Sequence, residues 1–286
     1  MEPKLKMILP KGRIQEKVTR LLERIGLAFR ADGRSYRPVC GSGDVAAKIL
    51  KPQNIPNFVA LGRHDCGFTG HDWVVEQEAD VVELLDLGYD PVRIVAAVPE
   101  ELARDGAYRK KRIVVASEYR RLAGDYIRRR ELDAVFVQTF GATEALPPED
   151  ADLIVDNTAT GETLRRNRLE VVEVLMESTT RFVCNREVYE DPERRERLDE
   201  LVMLMRSAIY ASEKVLLEMN VPGDRFEGLV RELPCMRAPT VAPLHNGDGF
   251  AVKIAVPADD VRALIPKLLA MGARDILEYR LEKIVV

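Results

Sequence analysis

Short apolar runs alternate with segments of helical periodicity through the first two-thirds of the chain, and this alternation narrows the possible folds more than any other feature. Residues 5–9, 92–98, 113–116, 135–137 and 153–155 are apolar runs too short for helices and read as buried strands. After the first of them Ile14, Val18, Leu21, Leu22 and Ile25 recur at helical spacing, and Gly26 supplies a C-terminal stop. Further helical segments are expected around residues 74–85 and 120–130. Strands separated by helices imply an α/β architecture with largely parallel sheets. No Gly-x-Gly-x-x-Gly stretch of a dinucleotide fold is present.

The pattern changes toward the C-terminus. Residues 191–211 are charged and amphipathic, with Leu198, Leu201, Val202 and Met205 in phase, and read as a connecting helix. Strands at 215–219, 240–242, 251–256 and 276–279 then alternate with helices at 224–232 and 261–271. In the second of these helices Leu264, Ile265, Leu268 and Leu269 are expected on one face. The order β-α-β-β-α-β is the split ferredoxin-like unit.

A length of 286 residues suits two or three domains with a sizeable core, and 46% apolar with 31% charged residues is ordinary for a soluble protein. A net charge of −4 argues against a nucleic-acid partner, which demands a basic face. The basic clusters at 109–112 and 128–130 have acidic neighbours and read as solvated helix faces. No apolar signal-peptide core is visible in residues 1–9, and the apolar stretch 201–205 is cut by Arg206, so neither export nor a membrane span is expected. Cys40, Cys66, Cys184 and Cys235 form no Cys-x-x-Cys pair, and His64, His71 and His245 are dispersed, so no protein metal cage is expected. The chain reads as cytoplasmic.

The chemistry concentrates in residues 152–164, Asp-Leu-Ile-Val-Asp-Asn-Thr-Ala-Thr-Gly-Glu-Thr-Leu. A buried strand ends in Asp156, a hydroxyl-rich loop follows around one glycine, and a helix begins near Glu162. Backbone N–H groups and hydroxyls gathered at a helix start suit a phosphate monoester. Like charge makes Asp156 a poor phosphate contact but a good acceptor for the two hydroxyls of a neighbouring ribose. Together these describe a site for phosphoribosyl pyrophosphate (PRPP). The same residues would also serve as a plain strand, turn and helix cap.

Asp-x-x-x-Thr-Gly-x-Thr-Leu followed by Asn167 resembles the PRPP loop of the ATP phosphoribosyltransferase family. The resemblance continues in order along nearly the whole chain. Leu9-Pro10-Lys11-Gly12-Arg13 is similar to the family's first loop, Asp65-Cys66-Gly67-Phe68-Thr69-Gly70 to a second segment, Ala116-Ser117-Glu118-Tyr119 to a third, and Gly141-Ala142-Thr143-Glu144 to a fourth. Pro239-Thr240-Val241-Ala242-Pro243-Leu244 and Gly272-Ala273-Arg274-Asp275-Ile276-Leu277 resemble the C-terminal extension of the long form.

The resemblance implies a core of two periplasmic-binding-protein-like lobes: residues 1–90 completed by 180–190, and 91–179 with the PRPP loop. A connecting helix at 191–210 and a ferredoxin-like (ACT-like) regulatory domain at 211–286 would complete the chain. It implies that N1 of the ATP adenine attacks C1′ of PRPP, releasing pyrophosphate, with Mg²⁺ carried chiefly by substrate oxygens. Catalytic candidates are Lys11, Arg13 and Asp156. Asp156, Thr158, Ala159, Thr160, Gly161, Glu162 and Thr163 are expected to bind PRPP, and Lys11, Gly12, Asp65, Tyr119 and Glu144 the nucleotide. Tyr119 is open to a buried packing role, and Glu144 to capping a helix. L-Histidine is the implied inhibitor, at Thr240, Leu244 and Ala273, and a homohexamer the implied assembly.

Several positions depart from the family pattern. An Arg-x-x-Asp-Ile-Pro segment appears as Lys51-Pro52-Gln53-Asn54-Ile55-Pro56, Arg168 replaces a common glycine, and Cys235 and Ala238 fall in the presumed regulatory site. Three other readings stand beside the main one: a base-salvage phosphoribosyltransferase, a bilobed solute-binding protein and a catalytically silent paralogue. The first usually carries two adjacent acids, whereas Asn157 follows Asp156 here.

Overall fold

The computed structural model describes residues 5–30, 35–41, 43–234, 236, 238–245 and 247–285, so Cys235 lies outside the described residues. The chain divides into two compact units. One holds the residues up to Glu23 and Leu27–Leu198; the other holds Asp199 onward with the segment Arg24–Gly26.

The first unit contains two lobes. In lobe I, β1 (Leu5–Pro10), β2 (Phe29–Arg30), β3 (Val39–Cys40), β4 (Val45–Leu50), β5 (Cys66–Gly70) and β6 (Val81–Asp86) are accompanied by α1 (Arg13–Arg24), α2 (Ile55–Ala60) and α3 (His71–Gln77). Lobe II follows with β7 (Val92–Pro99), α4 (Glu100–Ala103), β8 (Ile113–Ser117), α5 (Arg120–Arg129), β9 (Ala134–Gln138), β10 (Leu153–Thr158), α6 (Glu162–Arg166) and β11 (Leu169–Ser178). The chain then returns through β12 (Thr180–Asn185) and α7 (Arg186–Glu190), completing a sheet of order β2-β3-β4-β1-β5-β12-β6. The second sheet has the order β11-β7-β10-β8-β9.

Each sheet is parallel over three strands only, at the centre of the first and at one side of the second. β1 pairs in parallel with β4 and β5, and β8 with β10 and β9. β12 and β7 run antiparallel to their neighbours, which corrects the expectation of largely parallel sheets. The helix expected at 74–85 is also corrected: α3 ends at Gln77 and residues 81–86 pair with β12. Val-Val-Glu-Leu-Leu-Asp places its apolar residues at spacings that fit either a helix or an edge strand, so periodicity alone misassigns it. β9 is an edge strand, and Val135 and Val137 are exposed rather than buried.

The strand polarity matters for function. The parallel strands β8, β9 and β10 end in Glu118-Tyr119, in residues 139–144 and in residues 159–161, while β1 and β5 end at Lys11–Arg13 and at α3. Open α/β sheets bind ligands off such carboxyl ends. Two adjacent crossings join the lobes, through residues 87–91 and Thr179. They are tied together, because the Leu87 amide donates to the Thr180 carbonyl at 3.0 Å and the Thr180 amide to the Tyr89 carbonyl at 2.9 Å.

α8 (Pro192–Ser212) runs from the first unit into the second, where β13 (Lys214–Pro222), α9 (Phe226–Arg231), β14 (Thr240–Pro243), β15 (Gly249–Pro257), α10 (Val261–Ala270) and β16 (Arg274–Arg280) follow. The sheet order β14-β15-β13-β16, all antiparallel, is that of a ferredoxin-like unit. Strict alternation buries Val215, Leu217, Met219 and Val221 on β13 against Val252, Ile254 and Val256 on β15. On α10 Val261, Leu264, Ile265 and Leu268 pack inward, whereas Leu269 is 54% exposed, beyond the edge of the stripe. Among the described residues no helix is long and apolar enough to cross a membrane.

Gly249 lies where β15 closes on β13, and a Cβ there would stand 2.2 Å from the Val221 carbonyl oxygen. Neither backbone can yield without breaking the ladder. Gly249→Ala is expected to destabilise this unit by about 1–3 kcal/mol. Amide exchange should show faster opening across β13 and β15 with little change in lobe II, and uniform wild-type protection would contradict the packing described.

Candidate active site

The strand β10 carries the site. Leu153, Ile154 and Val155 are fully buried between two apolar layers, and the chain then leaves the core through Asp156, Asn157 and Thr158. The Thr158 hydroxyl accepts the Gly161 amide at 3.0 Å, and the Thr160 hydroxyl accepts that of Glu162 at 3.4 Å. These bonds curl the loop, and Gly161 at φ 80° provides the left-handed turn before α6. Among the described residues no protein acceptor takes the Ala159 or Thr160 amide. Glu162 turns away to pair with Arg165 at 2.6 Å and Arg166 at 3.0 Å.

A cavity of about 410 Å³ lies over this loop, walled by Asp156–Thr160, Thr163, residues 141–144, Glu118 and, from lobe I, Arg13. Gly141 and Ala142 both have left-handed backbones, at φ 95° and 50°, and bring Glu144 to the wall. Burial pushes the Asp156 carboxyl up to about 6, with the Glu144 and Glu118 charges adding to it against the Asn157 amide. Among the described residues the lining holds four acidic residues, Glu118, Glu144, Asp156 and Glu162, and one basic residue, Arg13.

A second cavity of about 220 Å³ shares Arg13, Glu118 and Asn157 with the first and extends between the lobes past Gln53, Asp72, Trp73 and Asp90. Arg13 stands at the junction of the two, 3.5 Å from Asp90, which Lys17 also meets at 3.0 Å. Among the described residues no group of three or more His, Cys, Asp or Glu is placed to hold a metal ion.

Other expected residues lie elsewhere. Lys11 does not line either cavity: its ammonium group reaches the Tyr36 hydroxyl at 3.2 Å and lies 5.0 Å from the ring centre. Gly12, at φ 90°, makes the turn from β1 into α1. Asp65 precedes β5 and so lies about 16 Å of strand from its carboxyl end. There it pairs with Arg194 and accepts the Lys6 amide at 2.7 Å, a role in joining elements of lobe I. Tyr119 does line the second cavity, but it is 1% exposed and one face of its ring is stacked on Trp73 with ring centres 4.5 Å apart.

In the C-terminal unit Thr240 is exposed on the edge strand β14, and Leu244 follows that strand half-buried. Ala273 is 2% exposed in the core, just before the opposite edge strand β16. The three residues therefore share no rim within one chain. Asp72, Trp73, Asp90, Gln53 and Glu118 were not singled out as site residues by sequence reasoning. Glu118 and Gln53 lie within segments that resemble the family's, and for Asp72, Trp73 and Asp90 the signal is their position just past a strand end or within a crossing segment.

Residues 51–207 match the family model for ATP phosphoribosyltransferase, and residues 211–283 match the model of that family's C-terminal domain. The ATP phosphoribosyltransferase of Prosthecochloris aestuarii is 38% identical over 286 residues, covering 98% of this chain and 97% of the relative. That of Desulforudis audaxviator is 38% identical over 291 residues, covering 99% of each. A solved ATP phosphoribosyltransferase (HisG:HisZ) complex from Thermotoga maritima superimposes with a TM-score of 0.63 at 25% identity, covering 71% of this chain and 98% of that one. Loop, cavity and full-length similarity lead to one conclusion: the chain belongs to the ATP phosphoribosyltransferase family, the transferases that perform the first step of histidine biosynthesis.

Proposed function

We propose that lobe II holds PRPP in the larger cavity and that ATP approaches from the interlobe side, so that adenine N1 meets C1′ near Arg13. The observation that carries this reading is the half-buried Asp156 carboxylate standing beside the hydroxyl-lined loop 158–163 in one cavity. Asp156 accepts the ribose hydroxyls, while the Ala159 and Thr160 amides and the Thr160 and Thr163 hydroxyls receive the 5′-phosphate. Thr158 and Gly161 keep the loop in shape. Glu144 faces the nucleotide, and Glu162 contributes through its backbone.

The site does little covalent chemistry. Its work is to align two anions and to stabilise charge on the departing pyrophosphate. Among the described residues Arg13 is the one cationic side chain on the wall, too little for two polyphosphates. The hard carboxylate oxygens of Glu118, Glu144 and Asp156 suit Mg²⁺, yet form no cage, so the ion would be held mainly by pyrophosphate oxygens. When bound, Mg²⁺ supplies the missing neutralisation. The reaction runs in the cytoplasm, in a homohexamer. L-Histidine inhibits from the C-terminal unit, at the exposed edge formed by Thr240 and Leu244, with Ala273 supporting the fold.

Turnover is tested by combining the protein with ATP, PRPP and Mg²⁺ and following the product's ultraviolet absorbance, with guanine, orotate and nicotinate as control acceptors. Asp156→Asn should lower kcat/KM for PRPP by about 10-fold to 100-fold, since one charge-assisted contact is worth roughly 1.5–3 kcal/mol. The same variant should be more stable at neutral pH. An acid whose folded pKa is raised above its unfolded value of about 3.9 favours folding below that value and loses this advantage as pH climbs through about 6. The gain in Tm for Asp156→Asn should therefore be near zero at pH 4 and reach about 2–5 °C at pH 7.5. Unchanged kinetics with no pH-dependent gain would remove Asp156 from the site.

Arg13 is largely exposed, so Arg13→Ala should leave Tm within about 2 °C. It should nevertheless lower kcat about tenfold or more, through loss of charge stabilisation at the leaving group. A collapse of Tm with normal turnover per folded molecule would make Arg13 structural. Calorimetry should detect L-histidine binding to the full-length protein and a rise in Tm with it. No heat at millimolar histidine would end the regulatory part of the proposal and leave the catalytic part intact.

A further inference from the structure

Ser178, Asp72, Tyr119 and Asn157, none of them assigned to substrate, form a continuous hydrogen-bonded chain that crosses the lobe boundary and reaches Asp156. Asp72, in the first turn of α3, is 5% exposed. Its Oδ2 accepts the Tyr119 hydroxyl at 2.8 Å, and its Oδ1 accepts the Ser178 hydroxyl at 2.5 Å. Its own amide donates back to Ser178 Oγ at 3.0 Å. Gly70 makes room for this carboxylate, because a Cβ there would stand 2.1 Å from Asp72 Oδ1. That space explains the closing glycine of the segment 65–70.

Tyr119 continues the chain. Burial first, and then the Asp72 charge, raise its phenol well above the usual range, so it stays protonated and donates to Asp72. A lone pair remains on its oxygen, and the Asn157 side-chain amide donates to it at 3.4 Å. The same Nδ2 reaches Asp156 Oδ1 at 3.3 Å, and the Asn157 backbone amide donates to that oxygen at 2.7 Å. The sequence of contacts therefore runs Ser178, Asp72, Tyr119, Asn157, Asp156. It begins where lobe II meets its return crossing, passes through lobe I and ends on the carboxylate facing the cavity. Oδ1 of Asp156 is taken by Asn157, so among the described residues Oδ2 is the oxygen left without a protein donor.

We infer that Asp72 and Tyr119 are positioning residues for the sugar: acting through Asn157, they set the orientation in which Asp156 receives the ribose hydroxyls. These bonds help to hold the lobes together, but they do not do so alone. The Trp73–Tyr119 stack already joins the lobes, and Glu76 accepts the Arg121 and Leu122 amides at 2.8 and 3.0 Å, capping α5 from the other lobe. The hydroxyl chain adds direction at the substrate carboxylate. This inference rests on the assignment of Asp156 to the ribose.

The test compares dissociation constants of ribose 5-phosphate and 2-deoxyribose 5-phosphate, measured by calorimetry on the folded full-length protein. The wild type should prefer the ribose compound about tenfold or more, the worth of one charge-assisted contact. Asp156→Asn should largely abolish the preference. Tyr119→Phe keeps the Trp73 stack and should cut the preference about threefold or more, with affinity for the deoxy compound within about twofold of wild type. Asp72→Asn, of the same shape, should act in the same direction even if Tyr119→Phe folds poorly. Loss of stability alone, with the preference intact in both variants while Asp156→Asn abolishes it, overturns the positioning role. A preference untouched by Asp156→Asn overturns the sugar assignment itself, and this inference with it.

Discussion

Two lobes can form one active site only if their mutual alignment is held by something stronger than a short pair of crossings. In this protein the seam between α3 and the start of α5 supplies it. A carboxylate, Asp72, lies almost wholly out of solvent there, and its two oxygens accept hydroxyls from Tyr119 and Ser178. Burying a charge is costly unless such donors satisfy it. The donors come from lobe II and the acceptor from lobe I, so displacement of the lobes at this seam would strand the charge. Glu76 repeats the logic, since burial raises its carboxyl while two α5 amides hold it. The carboxyl ends of β8, β9 and β10 can then face Arg13 across a fixed cavity.

Charge is distributed against stability at the site. Asp156, Glu144 and Glu118 share one wall, and burial with mutual repulsion leaves Asp156 hard to ionise. Such an arrangement makes sense where a ligand brings hydroxyl donors and a cation to the wall, and active sites commonly keep strain of this kind. The loop beside Asp156 offers amides and hydroxyls, which suit phosphate. One strand end thus offers acceptors to a sugar and donors to its phosphate within a few residues.

Much of this was legible before any coordinates. Apolar alternation gives β1, β7, β8 and β10, and the β-α-β-β-α-β order of the C-terminal unit follows from strands and helices of ordinary length. The loop 156–163 carries its own chemistry and could be read directly. Residues 81–86 were not legible, because their spacing suits either period and only pairing with β12 decides. Asp65 was misplaced because a motif does not reveal which end of a strand faces the ligand. Asp72, Asp90 and Glu118 acquire meaning only from tertiary neighbours. Arg168, in the position where the family commonly has glycine, adopts φ 54°, so that preference is a backbone requirement this chain meets at some cost.

The sugar phosphate is proposed to occupy the carboxyl end of β10. Hydrogen exchange followed by mass spectrometry, with and without saturating ribose 5-phosphate, tests it most directly. Protection should appear in residues 156–164 and 141–144, with the C-terminal unit unchanged. Protection confined to the C-terminal unit, or absent from residues 156–164 at saturation, would contradict the account.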